Sequence, residues 1–258
     1  MKQIRFQSLL FFCLWLSACT NNPDTSFQPV PPATGALLAE RWDTVRAAEN
    51  RIREGDLVLR CGDDMTSFML KDFSQTEKMY SHSGLAFSFN DTLYIFHNMA
   101  GDLNPDEVMR KDPLDSFLTP THNVIIGIYR FDFTQDELQK LKSIVLEYYR
   151  EKLQFDMSFD LRTDDKMYCV EMIAKSIERA TGNRIVFSKS IVNRELKRKY
   201  LKMALQKKVL PSGKSADQRE YLAIDNLYLN PHCHTVYKKV FAENNGPVMI
   251  PSPENNSN

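Results

Sequence analysis

Hydrophobic and polar residues alternate along this chain with two periodicities, one typical of helices and one typical of strands. Apolar residues recur at helical spacing in several segments, and Thr134 followed by Glu137 has the form of a capping box. Gly182 provides a stop after one of these segments. The predicted helices are Leu37–Ile52, Met65–Phe73, a helix after Thr134 that runs to about Lys152, Tyr168–Ala180 and Asn193–Lys208.

Short apolar or β-branched runs separated by turn residues predict strands between and after these helices. The predicted strands are Leu57–Leu59, Ser83–Phe89, Thr92–Asn98, Asn123–Phe131, Tyr221–Leu229 and His234–Phe241. Asn90-Asp91 predicts a tight hairpin turn in which Phe89 pairs with Thr92. Strands that come before and after a block of helices favour an α+β domain.

Composition and charge narrow the class of protein. The chain has 258 residues, of which 43% are hydrophobic and 26% charged, as in a soluble globular domain. The formal net charge is +0, so no basic surplus is present to attract nucleic acid. We therefore expect no nucleic-acid partner.

The first residues have the form of a processing signal. Lys2 and Arg5 precede an apolar run, Leu9–Leu16, which is shorter than the roughly 20 residues that span a bilayer. The run ends in Leu-Ser-Ala-Cys19, which resembles the bacterial lipobox, whose cysteine receives a diacylglycerol. We expect a signal peptide at residues 1–18 and lipidation of Cys19. An ordinary secretory leader is the alternative.

The remaining domain boundaries follow from composition. Residues 19–36, rich in Asn, Pro, Thr and Ser, predict a lipid anchor and flexible tether. Residues 37–242 form the expected folded domain, and residues 243–258 an Asn- and Pro-rich disordered tail. Thr20, rather than Asp, follows the lipidated cysteine, which by the known sorting rule favours the outer membrane. We expect a cell-envelope protein attached to a membrane through its lipid.

Beyond the leader and the anchor, the cysteines are Cys61, Cys169 and Cys233. An oxidising exterior favours pairing, but an odd number leaves at least one thiol free. Cys61 and Cys233 are an available pair that nothing in the sequence demands.

Cys169 lies at the predicted first turn of a helix. Unpaired N–H groups and the helix dipole lower the pKa of a thiol there and favour the nucleophilic thiolate. A buried cysteine on an apolar helix face is the simpler reading of this residue alone. Glu171 is a possible acid, although near a helix start it more simply caps the first turn.

Two histidines lie on the predicted hairpin and suggest a base for this thiol. In the predicted register His82 faces Met99, while His97 faces Gly84 and is diagonal to His82 on the same face. A thiol–imidazole hydrolase needs a third polar group that orients the base. His97 and Asn98 are both candidates for that role.

Other polar clusters have simpler interpretations. His232-Cys233-His234 offers alternate strand residues for a metal, but one short segment does not make a site. The acidic residues Asp156, Asp160 and Asp164-Asp165 fit turns and caps better than a cation site. The basic helix Asn193–Lys208 is most simply a solvated face. We expect no metal and no cofactor.

Four segments together resemble a known family. They are Gly55-Asp-Leu-Val58, Ser81-His-Ser-Gly-Leu-Ala86, Phe155-Asp-Met-Ser-Phe-Asp160 and Tyr168-Cys-Val-Glu171. In this order they resemble the circularly permuted papain-like hydrolases of the NlpC type called YiiX/YebB-like, in which the histidine strand precedes the cysteine. The resemblance covers roughly residues 52–237.

The resemblance implies an antiparallel sheet packed against the helix that carries the cysteine. Cys169 matches the nucleophile of the family and His82 its base, and His97 is the best match to a variable third position. Val170 departs from the serine that the family often has there, which alters the pocket beside the nucleophile.

These observations predict a cell-envelope cysteine hydrolase that forms a thioester from an amide or ester. A peptide, such as a peptidoglycan stem, or a lipid is the expected substrate. Two alternatives remain open. Lecithin:retinol acyltransferase-like proteins share the permuted order and pass the acyl group to an amine or hydroxyl. A lipid-anchored binding module would keep the fold without catalysis.

Overall fold

A computed structural model of the chain describes residues 35–101, 107–198 and 220–241. Its helices are α1 (Gly35–Glu49), α2 (Met65–Lys71), α3 (Leu114–Phe117), α4 (Gln135–Arg150), α5 (Cys169–Ala180) and α6 (Ile224–Tyr228), and residues 194–198 are also helical. Its strands are β1 (Leu57–Gly62), β2 (His82–Phe89), β3 (Thr92–His97), β4 (Arg110–Pro113), β5 (Asn123–Phe131), β6 (Ser190–Ile191), β7 (Glu220–Tyr221) and β8 (Cys233–Val240).

A six-stranded antiparallel sheet in the order β4-β3-β2-β1-β5-β8 forms the centre of the fold. Strands β6 and β7 form a separate pair. The predicted α+β class, with an antiparallel sheet beside the cysteine helix, is confirmed.

The hairpin of β2 and β3 has the predicted register. Phe89 pairs with Thr92 and Leu85 with Phe96. Asn90 and Asp91 have φ angles of 49° and 59° in the left-handed region, as a two-residue turn between twisted strands requires. The tight turn therefore sets which residues of the two strands face each other.

Alternation along the strands divides the core into two layers. On one face Leu57, Leu59 and Leu85 pack with apolar residues of α4, α5 and α6. On the other face Val58 and Ala86 pack with apolar residues of α1 and α3. Consequently, successive residues of β2 project toward different helices, which matters for the site at its beginning.

Most helix and strand predictions agree with the structure within a few residues, and the Thr134–Glu137 capping box is present. The predicted strand Tyr221–Leu229 is wrong, because only Glu220–Tyr221 is extended and α6 follows. Ile224, Leu227 and Tyr228 are buried at helical spacing, a pattern that a short apolar run does not distinguish from a strand.

Two polar residues in the first turn of α6 make hydrogen bonds that stabilise the helix. Asn226 Oδ1 accepts a 2.8 Å hydrogen bond from the Ala223 N–H group and caps α6. Asp225 Oδ2 accepts hydrogen bonds from the N–H groups of Gln75 and Thr76, at 2.8 and 2.6 Å. The segment before β2 is thereby attached to α6.

Several predictions lie outside the described residues. They are the signal peptide and Cys19, the tether up to residue 34, most of the basic helix and the tail from residue 243. Within residues 35–101, 107–198 and 220–241, no helix is both long and apolar enough to cross a membrane.

Candidate active site

Cys169 is the first residue of α5, at the position that the sequence predicts. The preceding residue, Tyr168, is buried, and its hydroxyl accepts a 2.7 Å hydrogen bond from the Leu222 N–H group and lies 3.2 Å from the Leu222 carbonyl oxygen. Glu171 Oε2 accepts from the Tyr168 N–H group at 3.4 Å. These contacts hold the beginning of the cysteine helix against a distant segment of the chain.

The Cys169 thiol faces the beginning of β2. Burial raises its pKa above the ordinary value, although the neighbouring Ser83 and the backbone of Val170 act in the opposite direction. The expectation that the helix N-terminus would lower this pKa is therefore wrong, because desolvation of the thiolate outweighs the donors around it. The resting thiol is neutral.

His82 and His97 form a direct contact. His82 Nε2 lies 2.9 Å from His97 Nδ1, and both side chains are buried. Gly84 makes this possible, because a Cβ there would lie 3.2 Å from His97 Cβ and 3.0 Å from the Phe96 carbonyl oxygen. The contact that the hairpin register allowed between the two histidines is present.

A carboxylate continues this line of contacts. His97 Nε2 lies 3.0 Å from Asp112 Oδ2, and Asp112 also pairs with Arg110 at 3.3 Å. Asp112 was not among the residues predicted from the sequence, because the polar strand β4 that carries it was not recognised. The signal was an Asp-Pro pair preceded by two cations, which is typical of an edge strand.

The surroundings of the two histidines favour neutral rings. Burial, followed by the charges of His97, Arg60 and Arg110, lowers the pKa of His82 well below its usual range. Burial also lowers the pKa of His97, although Asp112 acts in the opposite direction. Phe117 packs beside both rings, with centroids 5.6 Å from His82 and 5.1 Å from His97.

The Cys169 thiol and the His82 ring lie on different faces of the sheet. Ser83, on the α5 face, neighbours the thiol, whereas the His82 ring turns to the face of Phe117. Among the hydrogen bonds of residues 35–101 and 107–198, none joins Cys169 Sγ to His82. The structure brings the cysteine beside the residue that follows His82, and the ring nitrogen not engaged by His97 is Nδ1.

Asn98, the alternative partner for the base, has a different role. Its Nδ2 donates a 3.0 Å hydrogen bond to the Met167 carbonyl oxygen, two residues before Cys169. Asn98 thus connects the end of β3 to the segment that leads into α5. It is His97, and not Asn98, that contacts His82.

Glu171 has the surroundings of a structural residue. It is fully buried, pairs with Lys175 at 2.8 Å and caps α5. Burial raises the pKa of its carboxyl group to about 7. These contacts agree with the capping interpretation.

The other polar candidates also serve the fold. Asp156 accepts from the N–H groups of Ser158 and Asp160, at 2.7 and 2.6 Å, as turn chemistry predicts. His232 contacts Asp132 at 3.0 Å on the surface. Cys61 and Cys233 are free thiols, so this available pair is not formed.

A family profile matches residues 51–224, more than half of the chain, and its description is "Permuted papain-like amidase enzyme, YaeF/YiiX, C92 family". The chain belongs to this family. It is therefore a permuted papain-like cysteine hydrolase, and the family consists of amidases, which cleave amide bonds. The family thus supports the order of histidine strand before cysteine helix that the sequence shows.

A solved structure has the same fold. The crystal structure of the metalloprotein yiiX from Escherichia coli O157:H7 superposes with a TM-score of 0.56 at 19% identity, covering 73% of this chain and 98% of that chain. None of the curated proteins matches this chain. In the part of this chain that the structure describes, no three His, Cys, Asp or Glu side chains are grouped to hold a metal ion.

Proposed function

We propose that the enzyme cleaves an amide bond of an envelope peptide, with Cys169 as nucleophile and His82 as base. The observation that carries this proposal is the placement of the thiol at the beginning of β2, beside Ser83, which directly follows a histidine whose Nε2 is engaged by His97. Only Nδ1 of His82 is then available to the thiol. The proposed reaction requires Cys169 Sγ to reach that nitrogen during turnover.

The neutral resting state defines the order of events. Because the pKa of Cys169 is raised and that of His82 lowered, the thiol proton moves to His82 Nδ1 as sulfur attacks the carbonyl carbon. The C–S bond forms and the carbonyl π electrons move to oxygen. Collapse of this intermediate breaks the C–N bond, the amine takes the proton from His82, and water then hydrolyses the thioester.

Developing charge on the carbonyl oxygen requires hydrogen-bond donors. The first N–H groups of a helix have no partner within the helix, and the backbone N–H of Cys169 is such a group at the beginning of α5. The positive end of the helix dipole acts in the same direction. The oxyanion site of this proposal is therefore the N-terminus of α5.

The proposed location follows from the lipobox at Cys19, which would attach the enzyme to a membrane of the envelope, where peptidoglycan stem peptides are amide substrates. Replacing Cys19 by Ser should move the protein from the membrane fraction to the soluble fraction, measured by immunoblotting. A Cys19→Ser protein that stays in the membrane fraction would remove the lipid anchor from the proposal.

Replacement of the nucleophile tests the activity itself. Cys169→Ala should reduce hydrolysis of soluble muropeptides by about 10⁴ or more, because no thioester can form. Its thermal midpoint should stay within a few degrees of the native value. Cys61→Ala and Cys233→Ala, which replace the other two free thiols, are the matched controls and should remain active.

Product analysis by mass spectrometry, with and without an added amine, separates hydrolysis from acyl transfer. A free acid in both cases supports the proposal, whereas an acylated amine indicates a transferase. Undiminished hydrolysis by Cys169→Ala would refute the assignment of the nucleophile.

A further inference from the structure

The line of contacts from His82 through His97 ends on Asp112, a residue that the proposed function leaves without a role. We propose that Asp112 is a positioning residue that sets the tautomer of both histidines and so leaves Nδ1 of His82 unprotonated, ready to accept the proton of Cys169. This inference rests on the proposed function. Asp112 is two hydrogen bonds away from His82, and its proposed role is to determine which nitrogen of His82 carries the proton.

The argument begins at the carboxylate. Asp112 Oδ2 lies 3.0 Å from His97 Nε2, and the two side chains are 19% and 0% exposed. An ionised carboxylate only accepts hydrogen bonds, so the proton between these atoms belongs to His97 Nε2. The hydrogen bond from His97, with the charge of Arg110, holds the pKa of Asp112 below its usual range despite burial. The carboxylate is therefore charged at neutral pH.

The proton assignment then passes from ring to ring. Burial lowers the pKa of His97 and of His82, so each neutral ring carries one proton. Because Nε2 of His97 holds its proton, Nδ1 of His97 is an acceptor. His82 Nε2, 2.9 Å away, must then be the donor. The lone pair of His82 is consequently on Nδ1.

Charged groups on β1 and β4, the strands on either side of the hairpin, surround the histidine pair. Arg60 of β1 stacks over Phe117 at 4.9 Å, and Arg110 of β4 contacts both carboxylate oxygens of Asp112, at 3.3 and 3.4 Å. The third is Asp112 itself, and α5 contributes the neutral thiol of Cys169. When His82 becomes an imidazolium during turnover, Asp112 is the nearby negative charge that stabilises it through His97.

The amide variant Asp112→Asn should reverse the proton order. An amide has one acceptor oxygen, whereas Arg110 and His97 Nε2–H both donate to the carboxylate in the native enzyme. The Arg110 guanidinium can only donate, so the amide oxygen orients toward Arg110. The NH₂ group of the amide then faces His97 Nε2. His97 then carries its proton on Nδ1, and His82 must accept it on Nε2. The His82 proton moves to Nδ1, and the base is lost.

Nitrogen-15 NMR of the histidine rings reads these tautomers directly, and the chain contains only five histidines. In the native full-length protein, two-bond proton–nitrogen correlations should show both His82 and His97 protonated on Nε2. If His82 of the native protein is protonated on Nδ1, the inference is wrong. This test does not depend on whether any variant folds. Asp112→Glu should keep the native tautomers, and Asp112→Asn should reverse them.

Activity on muropeptides gives a second readout. Asp112→Asn should lower kcat by about 10²-fold with KM changed by less than about twofold, by analogy with the loss of a triad carboxylate. Adding Arg110→Ala to Asp112→Asn should restore part of the loss, because the competing donor is gone. Asp132→Asn, which alters the exposed His–Asp pair, is the matched control and should keep native kcat.

These measurements separate the two proposals. Native tautomers in Asp112→Asn, or a kcat equal to that of Asp132→Asn, would refute the role of Asp112. If instead Cys169→Ala remains active while the histidine tautomers are as described, the nucleophile is wrong and the proton order set by Asp112 still stands.

Discussion

Two histidine–aspartate pairs with the same separation lie in different parts of this enzyme. His97 and Asp112 are 3.0 Å apart, with side chains 0% and 19% exposed; His232 and Asp132 are also 3.0 Å apart, with side chains 36% and 56% exposed. Distance alone therefore does not distinguish them. What differs is the solvent around each pair, and burial determines how strongly one group acts on the protonation of the next.

The partners of each pair reinforce the contrast. His97 contacts a second buried ring, His82, so the orientation of its proton has a consequence beyond the pair. Asp132, by contrast, contacts His232 and the partly exposed Arg184, at 3.0 and 3.2 Å. An exposed network of this kind typically contributes about 0–1 kcal/mol to stability and is screened by salt. In our proposal it is the buried pair, and not the exposed one, that sets the position of the proton on His82.

Replacing the histidine in each pair should give the largest difference between them. His97→Leu should lower amide hydrolysis by about 10³-fold, because leucine offers no acceptor to the Nε2 proton of His82. His232→Gln should leave hydrolysis unchanged. Steady-state kinetics on muropeptides measures both, with thermal melts to confirm folding. Equal activity of the two variants would contradict the claim that the buried pair, unlike the exposed pair, acts in catalysis.

The pH dependence of stability should separate the pairs by a smaller amount. The folded pKa values of His82 and His97 are lowered from the ordinary value of 6.5, so below that pH the unfolded chain binds protons that the native state does not. These two rings therefore make stability rise with pH through this window, by up to about 1.4 kcal/mol per pH unit for each ring. Glu171, whose pKa is raised to about 7 by burial, contributes in the opposite direction. Urea unfolding between pH 7.5 and 5.5 measures this slope.

Variants identify which rings cause the slope. His97→Gln should remove one titrating group and so lessen the rise of stability with pH. Should His97→Gln and the native protein show the same pH dependence, His97 would bind its proton equally in the folded and unfolded states, and the neutral resting pair would be incorrect.

Much of the fold was predictable because its signals are local. The register of β2 and β3 follows from a two-residue turn, and the beginning of α4 follows from the side chains of Thr134 and Glu137. Local signals failed where tertiary contacts decide, as in α6, whose short apolar run is helical because Asp225 and Asn226 find partners. The polar edge strand β4 escaped detection since it has no apolar pattern.

By itself, the sequence determined that a cysteine begins a helix, that two histidines share one face of a hairpin, and that the histidine strand comes first along the chain. These are properties of neighbouring residues and of one turn. The tertiary structure alone decided that Asp112 meets His97 and that the thiol pKa is raised rather than lowered. The physical reason is that the first depends on the pairing of β3 with β4 and the second on how completely distant segments exclude water from the thiol.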